Sequence, residues 1–480
     1  MKRILILLAL LAHLCGHARA AARPNVLFLV LEDVSPGRFA TYGNTVCKTP
    51  NIDRLAGQGM RFEQFHTTPP CCPSRTSMMT GLRPETTKVY DNSDARLNRE
   101  LFPRVTLLPE QFLKAGYETL RIGKFAHDDV KKEIWSRIVF AGAGGDDDDK
   151  PKKGAEKPKG KPPQGPHARE GARFSGAPFL YGPTGLKDNE HGDYQAAGAA
   201  IKVIAEKHDR PWFLTVGFHA DHLPFRAPDR FFAMYPPGEM VIPQNPDAKP
   251  DGLPTAKTLN RIRKESGFNA TGFNNPATLE QWREAIAAQY ACLTFVDEQI
   301  GRVLEALQKS GAENDTMVIL WSDHGFMLGE HFFWRKGQLY DTSTKCALVV
   351  RAPGVTQPGS VCRRVVESVD LYPSLLELCG LPAAAHVEAA SFVPLLKNPE
   401  LPWKTGSLIY REKGQAVGLV TERWRYNRFA DHPERDELFD HESDAAENHN
   451  LIADPQSAAV VQQLGQLIDA GWKGNLPPSR

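Results

Sequence analysis

No charge sign dominates this chain: 58 Lys and Arg stand against 57 Asp and Glu over 480 residues, a formal net charge of +1. That balance excludes the strongly basic surface of a nucleic-acid binder, and no nucleic acid is expected as a partner. Nowhere does an apolar run reach the ~18 residues that cross a bilayer, so no membrane span is expected either. Internal repeats are missing, which excludes a repeat array. Long polar low-complexity tracts are confined to one place, so disorder is not the dominant state. What remains is a chain with 41% hydrophobic residues, long enough for roughly two or three domains of ordinary size.

Lys2 and Arg3 precede an apolar run from Ile4 to Ala12, and Ala18-Arg19-Ala20 offers small residues where a signal peptidase cuts. Residues 1–20 are therefore read as a signal peptide, against the competing reading of a buried first element. The protein is expected in a periplasm or outside the cell, or in a lysosome if its source is an animal. Cleavage would remove Cys15 and leave seven cysteines, at 47, 71, 72, 292, 346, 362 and 379. An exported protein can form disulfides, but an odd number leaves at least one cysteine unpaired or modified.

Asn25-Val-Leu-Phe-Leu-Val-Leu31 is apolar without alternation, the mark of a strand buried on both faces of a parallel sheet. Further strands are expected at Glu118–Ile122, Trp212–Val216, Met317–Trp321 and Ala347–Val350. Between them lie helical patterns at Asn51–Gly57, Leu108–Ala115, Ala196–Lys207 and Thr278–Lys309. This alternation predicts an α/β fold: a mostly parallel central sheet with helices on both faces. A catalytic domain is assigned to 21–385 and a small C-terminal α+β subdomain to 386–480, with short strands near Ser407–Tyr410, Ala416–Thr421 and Arg423–Phe429 and a helix from about Ala458. Residues 142–171, rich in Lys, Pro, Gly and Asp, are expected to be a disordered insertion rather than a basic docking arm.

Ligands of open α/β sheets bind beyond the carboxyl ends of the strands. Glu32 and Asp33 follow the first predicted strand; Gly123, Lys124 and His127 follow the second. His219, Asp221 and His222 follow the third, and Asp323, His324 and Gly325 the fourth. Any one pair could be a helix cap or a surface loop, but four strands deliver charged or metal-capable groups to one rim. Converging carboxylates repel unless protons or a cation compensate. Oxygen donors favour hard cations such as Ca2+ or Mg2+, whereas the imidazole of His324 suits softer metals.

The segment Cys71-Cys72-Pro73-Ser74-Arg75, followed by Thr80-Gly81, resembles the signature of the sulfatase family. The likeness continues in Arg23-Pro-Asn-Val-Leu with Glu32-Asp33, in Thr49-Pro-Asn-Ile-Asp53-Arg-Leu, in Ser322-Asp-His-Gly-Phe-Met-Leu-Gly-Glu-His331 and in Val369-Asp-Leu-Tyr-Pro-Ser-Leu375, covering about residues 23–455. Within the family, the iduronate-2-sulfatase branch is nearest, on strings such as Arg83-Pro-Glu-Thr-Thr-Lys-Val-Tyr-Asp91 and His219-Ala-Asp-His-Leu-Pro-Phe-Arg226. The resemblance implies the alkaline-phosphatase-like fold. It also implies that a formylglycine-generating enzyme oxidises Cys71 during maturation, and that one Ca2+ is held by Glu32, Asp33, Asp323, His324 and the formylglycine. Glu32 departs from the family, which has Asp in that place. Arg75 and Lys124 would hold the formylglycine hydrate, His127 would steer its proton, and His219 and Lys336 would contact the sulfate and the leaving oxygen.

A sulfate ester carries negative charge where it is attacked, so a fixed positive field at Arg75, Lys124 and Lys336 suits it. An aldehyde hydrate offers one hydroxyl to attack sulfur and a second through which sulfate is expelled, an exit that a plain thiol or hydroxyl lacks. His127 and His219 are the candidates for proton transfer. His222 and His331 could as well brace loops, and Tyr90 and Asp91 could line a sugar pocket or pack a turn. The expected substrate is a sulfated carbohydrate, with 2-O-sulfated uronate first. Alternatives are choline sulfate or an algal polysaccharide, a phosphate or phosphonate monoester on the same fold, or binding of sulfated glycans without catalysis.

Overall fold

The computed structural model describes residues 23–478, apart from 128–130, 141–168, 175–176, 247, 250–253, 256–257 and 259–277. The signal-peptide assignment and most of the Lys/Pro/Gly insertion lie outside the described residues. Of the insertion, 169–171 is described and opens an antiparallel ribbon pairing Arg169–Phe174 with Ala177–Tyr181.

Eight strands form the central sheet: β1 (Asn25–Leu31), β2 (Met60–Phe62), β3 (Glu118–Ile122), β4 (Arg137–Phe140), β5 (Trp212–Gly217), β6 (Thr316–Ser322), β7 (Leu348–Arg351) and β8 (Ser360–Cys362). Their spatial order is β8-β2-β7-β6-β1-β5-β3-β4. β1 sits between β5 and β6, parallel to both, with Leu29 beside Val216 and Leu320. The mostly parallel architecture is as predicted, except that β7 runs antiparallel to both β6 and β2. Strand direction leaves no trace in an apolar run, so that reversal was not readable.

Both faces of β1 are covered, which explains its unbroken apolar run. Leu27, Leu29 and Leu31 face a core built with α1 (Pro50–Gln58), α4 (Gly192–Ala205) and the long α5 (Leu279–Lys309). Val26, Phe28 and Val30 face a second core containing α2 (Cys71–Thr80), α3 (Leu108–Lys114) and α6 (Leu371–Leu378). Burying such a side chain is worth about 1.5–3 kcal/mol. Helix α5 starts where the sequence signals it: Thr278 accepts the N–H of Gln281 at 3.1 Å, and Gln281 returns the bond to the N–H of Thr278 at 3.0 Å. Helix α4 begins at Gly192, earlier than the expected Ala196, and stops before His208-Asp209.

A second, antiparallel sheet holds β9 (Ser407–Arg411), β10 (Ala416–Val420), β11 (Trp424–Phe429) and β12 (Glu437–Asp440). α7 (Ala458–Asp469) covers it through Leu464 and Ile468. The fourth strand was not anticipated, because Glu437-Leu-Phe-Asp440 is too short to show a period. No described helix is long and apolar enough to cross a membrane.

Candidate active site

The carboxyl ends of β1, β3, β5 and β6 meet at one edge of the sheet, and there the predicted side chains come together. Glu32 and Asp33 leave β1 fully buried. Asp33 takes a left-handed φ of 55°, a conformation Asp tolerates better than most residues. The chain turn at that point lets the N–H of Asp33 donate to Asp323 Oδ1 at 3.1 Å, while the N–H of Glu32 donates to Asp221 Oδ2 at 3.0 Å. Beyond β3, Gly123 (φ 69°) packs against the carbonyl of Gly217, and a Cβ on Gly217 would strike the backbone of Lys124. Two glycines therefore let the ends of β3 and β5 close up and bring Lys124 Nζ to 3.2 Å from Glu32 Oε1.

Cys71 is the first residue of α2, where the helix dipole favours negative charge. Arg75, one turn on, shares its face. Fully buried, Arg75 donates from Nη2 to Glu32 Oε1 and from Nε to Asp323 Oδ2, both at 2.9 Å, and from Nη1 to the carbonyl of Phe125 at 3.1 Å. Ser74 Oγ ties the same helix end to the carbonyl of Asp323. Lys336 Nζ donates to Asp33 Oδ1 at 2.7 Å and to Cys71 Sγ at 3.0 Å. His324 Nε2 lies 3.2 Å from Cys71 Sγ and 3.2 Å from Asp33 Oδ1. On the far side, His219 Nδ1 is 3.0 Å from Glu32 Oε2, and the ring stacks on His222 at 5.1 Å. His222 Nε2 is in turn 3.4 Å from Lys336 Nζ.

These contacts pull the titratable groups in different directions. Burial works against ionisation of Glu32, but Lys124, Arg75 and His219 hold its carboxyl well below the usual range. Asp323 is likewise lowered to about 2, where His324 and Arg75 outweigh burial. His324 rises to about 9 despite burial, because Asp323, Cys71 and Asp33 surround it. His219 is raised by Glu32 against the cost of burial, whereas burial lowers His222, reinforced by Lys336. Asp221 is pushed well above the usual carboxylate range by burial, then by Asp193 and Glu32.

Of the predicted site residues, Cys71, Arg75, Lys124, His219, Lys336, Glu32, Asp33, Asp323 and His324 are joined by these contacts. His127 lies on the same loop, three residues beyond Lys124. Ligand atoms of Cys71, Asp323 and His324 lie within 4.8 Å of one another, as do those of Asp33, Cys71 and His222. Carboxylates at Asp33 and Asp323 flanking residue 71 suit a hard divalent cation, with the imidazole the least apt donor. Glu32 groups instead with His219 and His222, and both its oxygens face Arg75, Lys124 or His219. Asn92, which sequence reasoning missed, accepts the N–H of Cys72 at 3.0 Å; nothing in its neighbourhood marks it out in the sequence. His331 stacks on Tyr340 at 4.0 Å and its N–H donates to Asn245 Oδ1 at 2.7 Å, a bracing position. Among the described residues no disulfide joins the cysteines.

Comparison with known proteins agrees with this geometry. Residues 24–381 match the sulfatase family, and residues 329–472 match the C-terminal region of N-sulphoglucosamine sulphohydrolase. A sulfatase from Formosa agariphila is 32% identical over 94% of this chain and 88% of its own length. Human iduronate 2-sulfatase is 29% identical over 77% of this chain and 71% of its own. The phosphonate monoester hydrolase of Agrobacterium radiobacter superposes with a TM-score of 0.74 at 22% identity, covering 93% of this chain and 95% of that one.

Proposed function

The chain belongs to the sulfatase family, and from that premise we propose that this sulfuric ester hydrolase removes sulfate from a sulfated carbohydrate, foremost a 2-O-sulfated uronate, at residue 71. One observation carries the reading: Cys71 Sγ lies 3.0 Å from Lys336 Nζ and 3.2 Å from His324 Nε2, at the start of a helix whose Arg75 is buried one turn away. An anionic ester approaching residue 71 meets positive charge that needs no reorganisation, because each cation is already fixed by a buried carboxylate. Likeness to human iduronate 2-sulfatase supports a uronate as the sugar.

Asp33, Asp323, His324 and residue 71 would hold Ca2+, with Glu32 completing the set if its carboxylate turns from Arg75. Once in place, the ion supplies a Lewis acid that offsets charge on the sulfate, and oxidation of Cys71 to formylglycine supplies the hydrated nucleophile. That oxidation needs a formylglycine-generating partner, and the N-terminal segment directs the chain to export. His219, whose proton Glu32 stabilises, stands where it can protonate a leaving oxygen, and Lys124 fixes Glu32 from the opposite side. His127, on the Lys124 loop, is assigned to proton transfer at residue 71.

The test sets defined 2-O-sulfated uronate disaccharides beside aryl sulfate and phosphonate esters, together with the mass of the peptide containing residue 71. Sulfate release from the disaccharide and a shift of about −18 Da, thiol to aldehyde, are expected. Turnover of the phosphonate ester alone would overturn the reading and favour the phosphonate hydrolase chemistry of a protein with the same fold.

A further inference from the structure

Past Lys336 the chain runs from Gly337 to Tyr340 along one wall of a cavity of about 330 Å3, within the size range of small-molecule pockets. The cavity is tied to residue 71 through the chain: Gly337 in its wall follows Lys336, whose ammonium donates to Cys71 Sγ at 3.0 Å. Asn92, next to the lining residue Asp91, accepts the Cys72 N–H, and the lining residue Arg411 donates from Nη1 to the carbonyl of Pro69 at 3.0 Å. Phe333 and Tyr340 provide an aromatic side, with Tyr340 held flat by the His331 ring behind it.

The charges around this cavity differ in how they are engaged. Its carboxylates already accept hydrogen bonds: Asp94 from the N–H groups of Tyr90 and Asp91, and Glu437 from the hydroxyl of Tyr340 at 2.7 Å and from Asn427 at 2.9 Å. Glu412 faces Arg435 at 3.1 Å. Two cations also line the cavity. Arg411 is buried, donates from Nη1 to the carbonyls of Pro69 and Tyr90 and has Asp91 3.7 Å away, and burial lowers its pKa in spite of Asp91 and Glu412. Lys413 is exposed at the tip of the β9–β10 hairpin and forms no ion pair among the described residues. Glu412 and Lys413 both adopt left-handed φ values, 50° and 55°, which side chains other than Gly, Asn and Asp rarely take. Such strain persists where surrounding structure demands it, commonly at binding sites.

We propose that this cavity receives the anionic substituent of the sugar whose sulfate ester lies at residue 71, with Arg411 and Lys413 as specificity-determining cations and the Phe333–Tyr340 wall against the ring. The inference rests on the sulfatase reading, since the ester must sit at residue 71 for a neighbouring group to reach the cavity. A uronate carboxylate and a second sulfate share the required chemistry, and the substrates below separate them.

Steady-state kinetics of the full-length, mature enzyme and its Lys413→Ala and Arg411→Lys variants test this on four esters. These are a 2-O-sulfated uronate disaccharide, the same disaccharide with its carboxylate reduced to an alcohol, a disulfated glucosamine and an aryl sulfate. For Lys413→Ala, KM on the uronate is expected to rise about tenfold, the scale of a lost charge-assisted hydrogen bond. On the reduced disaccharide and the aryl sulfate, kcat and KM stay as in the unmodified protein. A rise confined to the disulfated glucosamine assigns the cavity to a second sulfate and still supports the proposal. Equal losses on all four esters, or none on either anionic sugar, overturn it. Cleavage of no sulfate ester by the unmodified enzyme would instead sink the sulfatase reading, a result distinct from these.

Discussion

Two of the buried ionic networks among the described residues are built to different ends. Where β9 meets the region beyond α2, Arg83 grips Glu367 with two bonds, at 2.7 and 2.6 Å. Lys404 donates to Glu367 at 2.5 Å and to both oxygens of Asp370 at 2.7 and 2.6 Å, and Ser407 Oγ adds a bond to Glu367 at 3.0 Å. Two cations meet two carboxylates there, with no histidine or cysteine among them. Around residue 71, by contrast, Glu32, Asp33 and Asp323 face Arg75, Lys124 and Lys336, with His219, His222 and His324 added and a nucleophilic side chain at the centre. Pairing alone does not distinguish function from support, because both networks are paired. What differs is the surplus of groups that titrate near neutrality and the presence of a side chain that can react.

That difference is broken most severely at Cys71. Cys71→Ala removes the side chain proposed to react and leaves every ion pair standing. Turnover of a sulfate ester is expected to fall about 10³-fold or more, while the unfolding free energy from urea titration changes by no more than about 1–2 kcal/mol. Glu367→Gln does the reverse. It leaves Arg83 and Lys404 buried with too little compensation, at a cost of about 3–5 kcal/mol, and kcat of the molecules that remain folded is unchanged. Should Glu367→Gln cripple turnover without moving the midpoint, the separation of a supporting from a reacting network would fail.

The candidate-site network was largely legible in the sequence because most of its members are short-range features that lie within a few residues of a strand end or a helix start. Asp323 and His324 follow β6 immediately, and Arg75 is one turn from Cys71. Their mutual orientation was not legible. Glu32 was read as a metal ligand; that its carboxylate also meets Arg75, Lys124 and His219 is decided by how β1, β3 and β5 close together. Neither was the second network, since Arg83, Glu367, Asp370 and Lys404 are far apart in sequence and meet only in the fold. Arg411 and Lys413 were passed over for the same reason: an isolated cation at a hairpin gains meaning from the cavity it overlooks.

Protons separate the two networks more finely, and His324 is where this can be measured in protein stripped of metal by chelator. Its pKa of about 9 in the fold stands above the ~6.5 expected of an unfolded chain. Below about pH 6.5 both states hold the proton and the stabilisation is fully present; it is lost as pH rises through about 9. A shift of that size corresponds to about 3 kcal/mol at most, so the unfolding free energy of the stripped protein should decline across pH 6.5–9 more steeply than that of His324→Gln. Glu367 behaves in the opposite sense. Arg83 and Lys404 overcome burial to hold it well below the carboxylate range, so its contribution is present above about pH 4.3 and fades only in stronger acid. The gap between the unmodified protein and Glu367→Gln is therefore flat from pH 6.5 to 9, where the gap to His324→Gln narrows. Saturating Ca2+ flattens the His324 slope as well, because a dication beside the imidazole competes with its proton. A slope that survives in His324→Gln would place the titrating proton on another group of the cluster.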